Sequence, residues 1–213
     1  MTRRRFLTGA VGATGIVTVA GAVALARRTS PESVERAVGL APPSSTPAEP
    51  TVSTTLPVLE DKAAPDLERA AGFLNLDPSS APDVTDTVVL YDFWTFGCIN
   101  CFHTLPAVKA WHAAYADHGL LVASIHTPEF SYEADPDNVA DFVAEHAIEY
   151  PVALDPDKRV WRAYGNRAWP AFYLYDRDGR LRYQHIGEGR YDRTEDAIRS
   201  LLDLDASIPR ASF

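Results

Sequence analysis

Residues 92–101 read DFWTFGCINC, and they decide how the rest of the chain is read. Cys98 and Cys101 are the only two cysteines among 213 residues. They follow an apolar strand-like run, Val88-Val89-Leu90-Tyr91, and precede a helix-like one. A thiol at a helix N-terminus sits where the dipole and the free backbone N–H groups favour the thiolate. A second thiol one turn later can attack any mixed disulfide that the first one forms. The spacing points to thiol–disulfide exchange.

Two plainer uses of the pair carry less weight. As a staple it would close only a four-residue loop. The chain-entropy argument gives that roughly 2 kcal/mol, against about 4.7 for a hundred-residue loop. A chain that is 46% hydrophobic can bury a core without it. Structural zinc sites take four ligands, often two CxxC pairs or CxxC with paired histidines. The histidines at 103, 112, 118, 126, 146 and 185 show no such pairing, which leaves only Cys98 and Cys101 with His103 or His126. No metal and no cofactor is expected.

Outward from the pair, strands and helices alternate. Residues 66–76 (DLERAAGFLNL) place Leu67, Ala70, Ala71 and Leu74 at helical spacing. A strand is expected over 87–93, a helix over 98–118 and a buried strand over 120–126. Then come a helix over 137–147, a short strand at 152–154 and a short helix at 157–164. Residues 171–175 and 181–186 read as a hairpin around Asp178-Gly179. Asp192-Arg193-Thr194-Glu195 has the form of a capping box opening a last helix. The fold class is α/β, a mixed central sheet covered by helices.

The N-terminus reads as an address. Thr2-Arg3-Arg4-Arg5-Phe6-Leu7 resembles a twin-arginine export signal. A Gly/Ala/Val-rich stretch over 9–26 follows, with Ala24-Leu25-Ala26 as a small-x-small cleavage site. Eighteen residues at 1.5 Å rise give about 27 Å, so an uncleaved membrane anchor is the alternative. Either way the arginines hold the N-terminus inside and the globular part lies outside, at a periplasmic or extracellular face. No cysteine follows the stretch, which argues against a lipoprotein. Residues 29–57 (with APPSSTPAEPTVSTTLP) form a Pro/Ser/Thr-rich tether, and 58–213 the folded domain.

The chain carries 20 basic and 29 acidic side chains, a net of −9. Residues 1–28 hold five arginines and no acid, so the remainder keeps 15 basic side chains and a net of −14. That balance disfavours nucleic acid and anionic membrane surfaces as partners. A monomer is expected. In an oxidising compartment a CxxC also needs a redox partner to hold its working state.

Beyond the cysteines, a set of spacings resembles the thioredoxin-fold superfamily. Asp92-Phe93-Trp94 lies six residues before Cys98, Pro106 five after Cys101, and Tyr164-Gly165-Asn166-Arg167-Ala168-Trp169-Pro170 matches YG-x-R-x-x-P. Gly179 and Gly187 keep the spacing of two late glycines. The extra helix–strand unit at 137–154, inserted before the expected cis-proline, resembles the TlpA/ResA branch. FWTFGCINC, HTPEF and RAWPAFYL look closest to the C-terminal thioredoxin-like domain of DipZ-type proteins. This chain lacks their multi-span electron-transporting domain, so electrons would come from, or go to, a separate membrane protein.

The resemblance assigns roles. Cys98 is the expected nucleophile and Cys101 the buried resolving thiol. Asp92 is a buried acid passing a proton to Cys101 through water, or else a structural aspartate. The lysine often near this acid is replaced by Ser124. Glu129 is an alternative acid or an exposed loop charge. Pro170 is expected cis beside the cysteines, letting Trp169 pair with a protein disulfide or thiol substrate strand. Trp94 and Trp169 are a candidate apolar platform or plain core. His103 tunes the thiolate or is a solvated helix residue. The expected activity is an exported oxidoreductase that reduces protein disulfides. A peroxiredoxin-like peroxidase is the alternative, from Thr95 at TxxC spacing, though position 91 is tyrosine where that family has proline. A copper-handling module is another, since thiolates suit Cu(I), although CxxxC is absent.

Overall fold

A computed structural model describes residues 56–213. The expected export signal and all but the last two residues of the expected tether lie outside them. The fold already includes Leu56 and Pro57, whose carbonyls accept from the Arg182 guanidinium.

The order of elements is β1 (Gly72–Leu74), β2 (Val88–Trp94), α1 (Ile99–Tyr115), β3 (Leu120–His126), α2 (Pro136–Glu145), β4 (Val152–Leu154), α3 (Arg159–Tyr164), β5 (Ala171–Tyr175), β6 (Leu181–Ile186) and α4 (Tyr191–Leu201). The six strands form one sheet in the order β1-β4-β3-β2-β5-β6. β2 is parallel to β3, and β3 to β4, while the remaining neighbours are antiparallel. Every residue of β2 is buried, as a central strand covered on both faces requires. Leu90, Trp94 and Val122 pack with α1, α2 and α4 through Trp111, Val139 and Ile198. Val89, Tyr91 and Phe93 pack on the other face with Val160 and Tyr164 of α3. This is the thioredoxin-like fold with the added α2–β4 unit, as the family resemblance implies.

Helix ends follow their sequence signals. Asp135 accepts the Asp137 N–H at 3.0 Å and Pro136 opens α2. α1 ends in a 3₁₀ turn, Ala116–His118, closed by Gly119 at φ +96°. Asp155 is buried and accepts from Val160 N–H and Trp161 N–H at 2.9 Å and from Thr127 Oγ1 at 3.0 Å. It ties the start of α3 to the loop after β3. Replacing Asp155 by alanine strands three donors and is expected to cost about 2–3 kcal/mol, measured by urea denaturation.

Two expectations fail. Residues 66–76 are not a helix: Leu67–Arg69 make one 3₁₀ turn and Gly72–Leu74 form the edge strand β1 against β4. A glycine inside a helix costs about 1 kcal/mol relative to alanine. The edge of β4 instead buries Phe73, and Asn75 at φ +60° donates to the carbonyls of Ile148 and Tyr150 at 2.7 and 2.9 Å. The capping box at 192–195 is also absent. α4 starts at Tyr191 after Arg190 in the left-handed region, and no side chain caps it. Glu195 is buried, and takes the Ala211 N–H at 2.7 Å and the Arg210 guanidinium at 2.9 Å, holding the C-terminal segment.

Candidate active site

β2 runs directly into the site. After Trp94 the chain turns through Thr95-Phe96-Gly97, with Cys98 N–H bonding Thr95 C=O at 3.3 Å. Cys98 is the N-cap of α1, extended at φ −87° and ψ 115°, and its side chain makes no capping bond. Its sulfur is therefore half-exposed at the positive end of a 17-residue helix. Cys101, one turn on, is 4% exposed and packs with Trp94 in the core. Both cysteines are thiols, and the Cys101 thiol donates towards the Cys98 sulfur. Burial holds the Cys101 thiol well above its ordinary range and that hydrogen bond adds to the effect, while the Thr95 backbone N–H acts in the opposite direction. One sulfur is thus presented to solvent and the other kept protonated behind it.

Asp92 lies behind Cys101. Side chains alternate along a strand, so Asp92 faces the α1 layer with Leu90 and Trp94. It is buried, its Oδ1 has no protein partner, and burial pushes its carboxyl up to about 8. The Cys101 thiol feels its charge. Ser124 is its register partner on β3, as the sequence suggested, and Ser124 Oγ is likewise buried without a partner.

A second buried acid was not singled out from sequence. Glu133 is fully buried, and its Oε2 accepts the N–H groups of Glu129 at 2.5 Å and Phe130 at 2.8 Å. Its Oε1 faces Gly97, where an added Cβ would lie 1.9 Å away, and 2.6 Å from Tyr132 Oη. Only glycine fits there, beside the nucleophile. Gly97→Ala is expected to push Glu133 off its loop donors and cost about 1–3 kcal/mol, read from the thermal midpoint. Phe130-Ser-Tyr-Glu was legible as half of a cap for the Ser131–Ala134 turn, but its approach to Gly97 was not. His126 is also built into the turn. Its Nε2 accepts Phe96 N–H at 3.4 Å and meets Thr95 Oγ1 at 3.3 Å, and burial pushes its pKa down to about 3.

The other candidates divide. The Trp169–Pro170 peptide is cis, and Pro170 C=O accepts from Gly187 N–H at 2.8 Å. Trp169 is half-buried, stacked on Trp161 at 4.2 Å, and packs against the same core layer as Cys98. Trp94 is 5% exposed, edge-on to His126 at 5.0 Å. A substrate platform would need an open face, and the end of a doubly covered strand has none, so Trp94 is core. The Glu129 carboxylate is on the surface, and the loop contributes its backbone N–H instead. His103 pairs in the open with Glu188 at 3.2 Å. Ile99, next to Cys98, and Phe130 and Tyr132, on the loop after β3, are exposed apolar side chains, and Tyr132 packs against Phe96 of the active-site turn. Among the described residues, no three His, Cys, Asp or Glu side chains are grouped to hold a metal ion, and no helix is long and apolar enough to cross a membrane.

The chain is similar to known proteins. Residues 61–184 match the AhpC/TSA family. The protein DipZ of Mycobacterium tuberculosis is 45% identical over 143 residues, 66% of this chain but 21% of DipZ. The chain thus spans about a fifth of that relative. The thiol-disulfide oxidoreductase YkuV of Bacillus subtilis is 28% identical over 138 residues, 65% of this chain and 93% of YkuV. A thioredoxin-like protein solved in its oxidized form superposes with a TM-score of 0.59 at 26% identity, covering 68% of this chain and 97% of that one. The chain belongs to the AhpC/TSA family, and its domain has the thioredoxin-like fold.

Proposed function

We propose that the protein is an exported thiol–disulfide oxidoreductase that reduces protein disulfides and is recharged by a separate membrane electron donor. The observation that carries this reading is the asymmetry of the pair: Cys98 half-exposed at a helix N-terminus, Cys101 buried and protonated in front of a buried acid. The Cys98 thiolate attacks one sulfur of the client disulfide. The client's other sulfur leaves as a thiolate, and a mixed disulfide remains. Cys101 then gives its proton to the Asp92 carboxylate, and the Cys101 thiolate attacks Cys98 Sγ. The Cys98–Cys101 disulfide forms, the second client thiolate leaves, and two electrons have passed from the pair to the client. Asp92 afterwards releases the proton to water.

Export rests on the twin-arginine-like N-terminus, with the signal either cleaved or kept as an anchor. The exposed apolar side chains around Cys98 suit an unfolded or extended client, and Trp169-Pro170 would line its bound strand. A Cys101→Ser variant tests the reading. Mixed with a peptide disulfide, it is expected to accumulate a Cys98-linked mixed disulfide at near one equivalent, visible by mass spectrometry. Absence of any adduct would contradict it. In the peroxidase alternative a threonine hydroxyl would serve Cys98, whereas Thr95 Oγ1 turns to His126.

A further inference from the structure

One buried acid beside the nucleophile takes no part in the mechanism above. Glu133 is 0% exposed, and its Oε2 accepts the loop N–H groups of Glu129 and Phe130 at 2.5 and 2.8 Å. Its Oε1 is buried without a hydrogen-bond partner among the described residues, and this is the oxygen that faces Gly97. A Cβ on Gly97 would lie 1.9 Å from it, so Oε1 sits against the Gly97 backbone, one residue before Cys98. The neighbouring Tyr132 fixes the loop in the same place. Its ring packs on Phe96 at 5.7 Å, and its hydroxyl would lie 2.6 Å from the same Cβ.

Stability does not account for this arrangement. Burying a carboxylate with one oxygen unpaired is costly, and a glutamine carbonyl would satisfy the same two loop donors without a charge. What the carboxylate adds is a negative charge at the start of α1, whose N-cap is Cys98. The helix N-terminus favours the Cys98 thiolate, and a charge of like sign beside it works the other way. Water is kept off Oε1, so salt screens this charge little. The ionisable groups around it do not cancel it. His126 and Asp155 line a small cavity together with Glu133. Burial pushes the His126 pKa down to about 3, so it brings no positive charge near neutrality. The Asp155 carboxylate is occupied by its own three donors. Cys101 and Asp92 lie on the core side of Cys98.

We propose that Glu133 is a positioning residue that acts through charge: its buried carboxylate disfavours the Cys98 thiolate and so holds the Cys98–Cys101 couple towards the reducing end. The inference rests on Cys98 reacting as a thiolate, as the proposed function requires. When dithiothreitol reduces the pair, its two electrons break the Cys98–Cys101 bond and it closes its own disulfide. Cys98 is left as a thiolate, Cys101 as a thiol, and one proton is released. A negative charge beside Cys98 opposes that product and leaves the disulfide form unaffected, which makes the reduced pair a better electron donor.

Glu133→Gln keeps the acceptor for the loop donors and removes the charge. In the full-length protein equilibrated with dithiothreitol, it is expected to shift the equilibrium about tenfold towards the dithiol, about 30 mV upward in potential. Alkylation of Cys98 by iodoacetamide, followed by mass spectrometry from pH 4 to 8, should show its thiolate limb moved to lower pH. Both changes should persist in about 0.5 M salt. A packing role alone would lower the urea midpoint and move neither. Gly97→Ala displaces the same carboxylate by contact, should move both readouts in the same direction, and serves as the second variant if Glu133→Gln folds poorly. A wild-type equilibrium and pH profile in the folded variants would overturn the inference and leave the redox function standing. A wild-type pair that does not cycle would overturn the proposed function, and this inference with it.

Discussion

Cys98→Ser is expected to reduce a peptide disulfide at no more than about a thousandth of the wild-type rate, some 4 kcal/mol in the barrier. Cys101 cannot substitute for it. Its sulfur is buried, is held protonated, and lies behind Cys98 against the core. A serine hydroxyl at the N-cap would gain a capping role but no nucleophile that the helix N-terminus could ionise near neutrality. The variant should therefore fold with wild-type stability or slightly better while losing turnover, checked by urea denaturation alongside the reductase assay. Reduction at the wild-type rate would remove Cys98 from the chemistry.

Asp92→Asn is expected to separate stability from activity in opposite directions. In the folded protein the carboxyl titrates at about 8, against its ordinary 3.8 in the unfolded chain. Between those two values the folded state holds a proton that the unfolded state has released. Stability therefore falls as pH rises through this window and levels off above about pH 8. Asparagine carries no such proton, so the variant should lose this slope and gain on the order of 3 kcal/mol at pH 7. Asparagine also cannot take the Cys101 proton, so resolution of the mixed disulfide should slow by about a hundredfold. Denaturation curves at pH 5, 7 and 9 and stopped-flow client release measure the two effects separately. A variant that is less stable than wild type at pH 7 would mean that Asp92 is a structural group.

Most of this architecture is written in local patterns. The continuous apolar run of β2, the buried run of β3 and the stripes of α2 and α4 could be read because central strands and amphipathic helices leave those periods. The cysteines, Asp92 and the Trp169–Pro170 peptide stand where the spacings put them. What could not be read depends on residues distant in sequence. Whether 66–76 coils or extends is decided by the open edge of β4, some eighty residues on. Glu195, which looks like a cap residue, is taken by Arg210 and Ala211 of the C-terminal segment. Trp94 looks like a platform until the cover over both faces of β2 is known. Of the acids in the loop after β3, the exposed Glu129 was the visible candidate because it follows His-Thr-Pro. The one held against Gly97 is Glu133, and only the loop's fold back onto the active-site turn distinguishes them.

The reduction potential of the Cys98–Cys101 pair bears most directly on the central claim. The purified protein would be equilibrated in graded dithiothreitol or glutathione buffers and its thiols trapped with a mass tag. The account predicts a reversible two-electron couple near the roughly −270 mV of thioredoxin, fitting a reductase that draws on a membrane donor. A value near about −120 mV would contradict the reductase direction and describe an oxidase. A pair that does not cycle would contradict the redox function itself.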